Sequence, residues 1–336
     1  MTKCVAVSVL ITYYNQKKYI KDSLLSVISQ KTSFDYEIIC GDDGSSDGTY
    51  EELVLWQKKY PSLITICRMP RNLDEKCEPI IRASNNRHTM LKQSRGKYIS
   101  ILDGDDYFCD EYKLQKQLDM LEKHPECSSC CHSMKYVWDT NDRKEEPLGH
   151  LSDKACLLRN FDYWSFYWLP AEAFLFRNYY LGKVDAINKN FFDDNTITAY
   201  FIKMGSIIYL PDCMVVYRQV ASSSWNSRDY IRKLYINVIC YQETKKILCS
   251  IKMACFFRYS TIISALFKNR NKNFEIESNG LLSATERMYI ETTQYKTNTF
   301  VNKMIYIAKY FVPAHLEVFI KIIKKINKLR WKKLRY

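Results

Sequence analysis

Apolar, β-favouring residues run almost without interruption from Val5 to Thr12. Such a run marks a strand buried on both faces, because a strand with one wet face would alternate. The period then changes. Between Lys17 and Ser29, residues Ile20, Leu24, Val27 and Ile28 share one helical face. Tyr36–Cys40 reads as a second buried strand, and it ends in Gly41-Asp42-Asp43-Gly44-Ser45-Ser46-Asp47-Gly48, dense in turn formers. Thr49 and Glu52 offer a capping box for a helix through Lys58. Leu63–Cys67 is a third strand, a helical stretch reaches Gln93, and Lys97–Leu102 is a fourth strand that runs into Asp103-Gly104-Asp105-Asp106.

Farther along, Cys127–His132 reads as a small-residue buried strand, and Asp139–Pro147, with six charges, as an exposed loop. An aromatic stretch (Phe161–Trp168) follows, then a strand over Ala171–Arg177 and a helix from about Asp194 to Met204. Two short strands are expected around Ile207–Leu210 and Met214–Arg218. From Trp225 onward the pattern is mostly helical. The division is therefore a catalytic-sized α/β domain over residues 1–225 and a helical extension over 226–336. Strands alternating with helices predict a mainly parallel, doubly wound sheet flanked by helices. In such sheets ligands sit beyond the carboxyl ends of the strands, and both acidic clusters follow strand ends.

Composition narrows the picture. With 336 residues, 47% hydrophobic and 14% aromatic, the chain can bury a sizeable core. Its 13 cysteines are scattered and odd in number, which reads as reduced thiols rather than a disulfide framework. Cys127-Ser-Ser-Cys130-Cys131-His132 lacks a second ligand pair at zinc spacing, so the buried strand is the better reading. No stretch approaches the ~18 apolar residues of a membrane span, and the first strand lacks the features of a signal peptide. A cytoplasmic location is expected.

The net charge of +13 is uneven. From Lys303 onward there are 10 Lys/Arg against one acid, Glu317. Within Ala314–Tyr336, Leu316, Phe319, Ile320, Ile323 and Ile326 share a helical face, with lysines mainly elsewhere and Trp331 and Tyr336 suited to a headgroup boundary. An ordinary terminal helix explains the stripe but not the cations; nucleic acid would explain the cations but not the stripe. Peripheral binding of this C-terminal helix to the inner, anionic face of the cell membrane accounts for both.

Three constellations carry chemistry. The three carboxylates of Asp103-Gly104-Asp105-Asp106 repel one another unless a cation or hydrogen bonds neutralise them. Hard oxygen donors suit Mg2+ or Mn2+, although a solvated acidic turn is an equal reading of the motif in isolation. The Asp42–Gly48 loop is not a calcium loop, since Val54 stands where a bidentate Glu would be required. A carboxylate there can accept the imide N–H of uracil, a group that guanine and thymine also offer and cytosine lacks. A plain polar turn is the equal alternative. Asp193-Asp194 precedes a helix, where an anion is stabilised and a general base can stay ionised; a capping role for Asp194 is the simpler reading of the pair alone. The five histidines form no constellation.

Together these segments resemble the family 2 glycosyltransferases, which have the GT-A fold. The matching pieces are Ser8–Asn15, Asp42–Thr49, Gly96–Asp106, and Asp193-Asp194 followed by Gly205 and Tyr217-Arg218. The resemblance covers roughly residues 5–225 and implies a Rossmann-like GT-A sheet. It implies that Thr12, Tyr14 and Asp43 line the nucleoside pocket, and that Asp103 and Asp105 hold metal and donor. It further implies that Asp194 is the base, that Arg218 grips the diphosphate, and that Glu172 and Asp193 lie on the acceptor side. The implied reaction is inverting transfer of a sugar, a hexose or N-acetylhexosamine, from a nucleotide-sugar donor (UDP above all) to a saccharide or lipid-linked acceptor. The implied setting is the assembly of bacterial surface polysaccharide, capsule or lipopolysaccharide. The sequence departs from the family at Asn72–His88, which is long and ends Asn86-Arg87-His88 where an Arg-Asn pair is common, and at Gln219-Val220, where a His often stands. No Gln-x-x-Arg-Trp element is present, so single additions are expected rather than polymerisation. A nucleotidyltransferase or a non-enzymatic sugar-binding module are the competing readings. Free nucleoside diphosphate as product, rather than pyrophosphate, separates the first of these from glycosyl transfer.

Overall fold

The computed structural model describes residues 5–71, 79–138, 145–158, 169–179, 181, 183–184 and 189–220. It adds six helical positions, Lys233, Ile236, Asn237, Cys240, Thr244 and Ile247. The basic tail, the aromatic stretch 161–168, segment 72–78 and the rest of the helical extension lie outside the described residues.

The first half is built as the hydrophobic pattern predicts. Strands β1 (Val7–Tyr13), β2 (Tyr36–Asp42), β3 (Ile64–Arg68) and β4 (Tyr98–Asp103) are parallel, in the order β3-β2-β1-β4. Every β1 residue except Thr12 is buried, because both faces are covered. Helices α1 (Ile20–Ile28), α2 (Thr49–Lys59) and α3 (Pro79–Gln93) connect successive strands. The capping box expected of Thr49 and Glu52 does not form. Gly48, at φ 90°, is the N-cap of α2, and the Asp47 carboxylate takes the Thr49 amide at 3.0 Å. Glu52 instead accepts the Trp56 indole N–H at 3.0 Å.

Beyond β4 the sheet changes character. In chain order come β5 (Tyr107–Phe108), α4 (Lys113–Lys123), β6 (Cys127–Trp138), β7 (Glu145–Leu148), β8 (Cys156–Leu158), β9 (Leu175–Arg177), α5 (Asp194–Met204) and β10 (Ser206–Gln219). Among the described residues ten strands form one sheet, with the path β3-β2-β1-β4-β9-β6-β10-β5. β9 is antiparallel to both β4 and β6, and β6 is parallel to β10. The mainly parallel expectation therefore holds for the first half only, and the whole sheet is mixed. Short connections are the reason: β7 follows β6 too closely for a crossover helix and pairs with it antiparallel. The charged segment expected as a loop thus ends in a strand. Likewise, Ala171–Ala173 is a turn of 3-10 helix, and only Leu175–Arg177 of the expected strand joins the sheet.

The two short strands expected before Arg218 are one, β10. Pro211 falls where its register with β6 slips, between Leu210 and Cys213, and a second slip lies between Cys213 and Val215. A bulge accommodates proline in a strand that would otherwise exclude it. The Cys127–His132 segment is the buried strand β6, as read from its small residues. Among the described residues no helix is long and apolar enough to cross a membrane.

Helix α4 packs on β6 and buries a cation. Lys113 is 0% exposed; its ammonium donates to Gln117 Oε1 at 2.8 Å and to Ser100 Oγ at 3.4 Å, and lies 4.5 Å from the Phe108 ring centre. Burial pulls its pKa down to about 7. The unfolded chain, with lysine near ~10.4, binds this proton more readily. Folding stability is therefore lost as pH falls from about 10 toward 7. Lys113→Met should remove that dependence. Measured by thermal unfolding, the variant's midpoint relative to the parent should be higher at pH 7 than at pH 9.5; an equal difference at both pH values would contradict the buried-cation reading.

Candidate active site

The parallel strands deliver their last residues, Tyr13, Asp42, Arg68 and Asp103, to one rim. Two loops there are sewn together. The Asn15, Gln16 and Lys17 amides donate to Ser45 Oγ, Thr49 Oγ1 and Asp47 Oδ2 at 3.0, 2.9 and 3.1 Å, and the Ser46 amide returns a bond to Asn15 Oδ1 at 2.9 Å. Asn15 adopts φ 51°, which asparagine tolerates better than most residues. Asp43 is gripped from α3: Arg82 Nε reaches Oδ2 at 3.1 Å and Nη2 reaches Oδ1 at 2.6 Å. Arg71 lies 4.0 Å from the same carboxylate, and its guanidinium sits 3.9 Å from the centre of the Tyr14 ring. Tyr14 is 41% exposed, so Tyr14, Asp43 and Arg71 form one surface at this corner. A bidentate guanidinium uses one lone pair on each Asp43 oxygen and leaves others able to accept an N–H.

Thr12 turns toward the second loop. Its hydroxyl donates to Asp103 Oδ1 at 2.6 Å across the β1–β4 ladder, where the two residues are register partners. The same oxygen receives Arg87 Nη2 of α3 at 2.9 Å. Arg87 Nη1 in turn lies 3.4 Å from Asp194 Oδ1, at the start of α5. Glu172, 1% exposed, completes the group beside Asp103. The environments separate these acids. For Asp103, burial works against ionisation, but the Arg87 charge and the Thr12 and Arg87 bonds outweigh it and hold the carboxyl below the usual range. Burial pushes Asp194 up to about 6, with Arg87 opposing and Asp103 adding. Burial, then the charges of Asp103 and Asp194, raise Glu172 well above the usual carboxylate range. Among the described residues, Asp194 Oδ1 and Glu172 Oε2 accept no hydrogen bond although buried.

Asp105, Asp106 and Arg218 form the neighbouring group. The Arg218 amide donates to Asp106 Oδ1 at 2.7 Å, and its Nη1 donates to the Asp105 carbonyl at 2.8 Å. Its Nη2 is held by Asp22 of α1 at 2.6 Å, and the guanidinium lies 4.6 Å from the Tyr107 ring centre. Gly104 is required here: a Cβ would come within 2.2 Å of the Tyr13 ring. Burial and the Asp103 charge raise Asp105 to about 7, and burial with the Asp105 charge raises Asp106 further.

A metal ion fits one part of this arrangement. Among the described residues no three His, Cys, Asp or Glu side chains are grouped so as to hold an ion by themselves. Asp103 is engaged by Thr12 and Arg87, and Asp106 by the Arg218 amide. The Asp105 carboxyl is raised by burial and by a neighbouring anion, penalties that a hard cation would relieve. Magnesium is commonly held by one or two carboxylates with substrate phosphates completing the shell. Asp105 suits such a shared site.

The pair Asp193-Asp194 needs correction. Asp193, not Asp194, caps α5: its side chain accepts from the Asn195 and Thr196 amides at 3.3 Å each, and Thr196 Oγ1 closes the capping box. Cys240 of the helical extension lies beside Asp193, whose charge helps raise the thiol. That carboxylate is thus a structural anchor, while Asp194, the first helical residue, is left facing Arg87. Asp194 is not stabilised as an anion to the extent a helix N-terminus alone implies, because burial outweighs the dipole. Sequence reading missed Arg71, Arg82 and Arg87 as site residues. The available signal was polar: Asn86, Arg87 and His88 are consecutive on a helix that must pack against the sheet, and all three are buried.

Comparisons with known proteins agree with this geometry. The model of glycosyl transferase family 2 matches residues 8–184. An uncharacterised Mycobacterium tuberculosis protein is 30% identical over 231 residues, 66% of this chain and 60% of its own length. The chain thus spans about 60% of the relatives it matches over the longest stretch. A poly(ribitol-phosphate) beta-glucosyltransferase of Bacillus spizizenii is 34% identical over 110 residues, 32% of this chain and 16% of that protein. Among solved structures, TarS 1-349 of S. aureus in complex with UDP-GlcNAc superposes with TM-score 0.54 at 19% identity, covering 76% of this chain and 74% of that one. The Pyrobaculum calidifontis mannosyltransferase PcManGT, in complex with GDP-Man and Mn2+, gives TM-score 0.51 at 16% identity, covering 99% and 89%. A family match over more than half the chain, on a sheet whose acidic strand ends meet at one rim, identifies it as a member of glycosyl transferase family 2.

Proposed function

We propose that the chain transfers a sugar from a nucleotide-diphosphate donor to an acceptor hydroxyl by single displacement, with inversion. The observation that carries this reading is the Thr12–Asp103–Arg87–Asp194 chain of contacts at the strand-end rim. It sets a carboxylate held ionised beside one whose pKa lies close to neutrality, the arrangement that lets neighbouring acids take different roles. The donor's base lies against Tyr14 and Asp43, and UDP is favoured over a cytidine donor because Asp43 can accept an imide N–H, a group that guanine and thymine also offer. The diphosphate lies toward Asp105 and Arg218. Bound at Asp105, Mg2+ or Mn2+ would stabilise charge developing on the departing diphosphate. Arg218 adds a guanidinium once it is drawn from Asp22.

Asp194 takes the proton of the acceptor hydroxyl as that oxygen forms its bond to the anomeric carbon. The bond from that carbon to the diphosphate breaks on the opposite face. Asp103 orients the donor, and Arg87 keeps Asp103 and Asp194 at fixed separation. Glu172, pushed toward its neutral form by burial and the neighbouring acids, shapes the acceptor side. The relatives named above, which act on poly(ribitol-phosphate) or bind UDP-GlcNAc or GDP-Man, support a hexosyl or N-acetylhexosaminyl donor and an acceptor belonging to surface polysaccharide. The basic amphipathic C-terminal segment supports a lipid-linked acceptor, reached from an anionic membrane face.

Five measurements bear on this. With UDP-sugars and Mn2+, the protein should release free nucleoside diphosphate and no pyrophosphate. Asp105→Ala should abolish release and the response to divalent ion while keeping the thermal midpoint; full activity of that variant in chelator would rule out the assigned role. Asp194→Asn should lower turnover by at least ~100-fold with donor affinity nearly unchanged. In the parent, turnover should rise with pH through about 6 and then level off, as the base loses its proton. Loss of donor binding without loss of turnover at saturation would make Asp194 a binding residue. Finally, a chain ended at Val312 should fail to sediment with anionic liposomes at low salt yet keep donor binding. Absence of liposome binding by the full-length chain would count against the membrane role.

A further inference from the structure

Outside the acidic rim, two exposed thiols meet. Cys109 follows β5 and Cys213 lies in β10, and both are solvent-exposed; the other described cysteines, Cys40, Cys67, Cys127, Cys130, Cys131, Cys156 and Cys240, are buried. The Cys109 amide donates to the Met214 carbonyl at 2.9 Å, continuing the β5–β10 ladder. Residues one step apart on facing strands ordinarily point to opposite faces. The slip between Cys213 and Val215 changes this, because a bulge re-aims a side chain. As a result the Cys109 thiol lies beside Cys213, 3.4 Å from its carbonyl oxygen.

A separate clamp fixes the pair. Lys116 of α4 binds Asp110 Oδ2 and Asp212 Oδ1, each at 2.7 Å. These acids are the chain neighbours of Cys109 and Cys213, so one ammonium holds both backbones in register. Lys135, paired with Glu145 at 2.9 Å, places a second cation near the sulfurs.

We propose that Cys109 and Cys213 form a two-cysteine exchange site that reacts with low-molecular-weight disulfides. Cys213 is the attacking sulfur: the neighbouring Cys109 thiol and the Lys135 charge, working against burial, lower it to about 7, whereas the same pairing and burial raise Cys109. The Cys213 thiolate attacks one sulfur of the small disulfide, whose S–S bond breaks and releases a thiolate. Once Cys213 is capped, that pairing is lost. Cys109 gives up its proton, attacks Cys213 Sγ and expels the second small thiol. Two protein thiols are oxidised to one disulfide, one small disulfide is reduced to two thiols, and the two protein protons leave on them. The product ties β5, immediately after Asp106, to β10, five residues before Arg218.

The test uses the reduced full-length protein, oxidised glutathione as the small disulfide, acid quenching, and peptide mapping by mass spectrometry. The native chain should yield a linked Cys109–Cys213 peptide. Cys109→Ser should accumulate a stable glutathione adduct on Cys213. Cys213→Ser should modify Cys109 at least ~10-fold more slowly than the parent modifies Cys213, since the activated thiolate is gone. Thermal midpoints of both variants establish that they are folded. Linkage of Cys213 to another cysteine, two unmodified thiols under these conditions, or equally fast adduct formation on Cys109 in Cys213→Ser would each overturn the proposal.

Discussion

Arg87 sets the electrostatics of the rim. Three acids, the buried Glu172 and the half-buried Asp103 and Asp194, surround this one buried guanidinium. Removing charge from water is costly, and an acid without a partner responds by taking up a proton. Arg87 divides its donors unequally: a hydrogen bond to Asp103 and a longer ion pair to Asp194. Asp103 also has Thr12, and Glu172 is pushed toward its neutral form. Three side chains of similar intrinsic acidity thereby acquire three different proton affinities from position alone. The strands that carry Thr12 and Asp103 must remain in register for this to hold, which links the chemistry of the rim to the packing of β1 against β4.

The second half of the sheet serves the same end by different means. β10 is long enough to run from the end of α5 to Arg218, and it carries β5 along its edge. Through the Arg218 amide and guanidinium it fixes Asp106 and the Asp105 backbone from the side opposite β1. The acidic turn is therefore held from both flanks. Gly104 lets it press against Tyr13 without a side chain between them.

What was legible in the sequence follows from what dominates each element. β1, β2 and β4 are buried on both faces, so hydrophobic runs located them within a residue or two. The acidic clusters were visible because their carboxylates are adjacent in the chain. Helix α4 and strand β7 were not, since a helix that buries Lys113 and Gln117 and a strand written Glu-Glu-Pro-Leu contradict the usual apolar signals. β10 was divided in two because Pro211 reads as a break unless a bulge is foreseen. Arg82 and Arg87 escaped for a related reason. Their partners, Asp43 on one side and Asp103 with Asp194 on the other, are distant in the chain, and only the folded sheet brings them to α3. Asp193 and Asp194 were seen as a pair, but which one caps the helix depends on backbone angles that adjacent identical residues do not reveal.

The bonds that sew Asn15–Lys17 to Ser45–Thr49 have a consequence for protein engineering. Each loop supplies amides to side chains of the other, so neither holds its shape independently. Grafting one of them from a homologue, in the hope of exchanging nucleotide preference, would orphan amides on both sides of the seam. The unit of transplantation is the pair, and sequence drift in one loop constrains what the other can become.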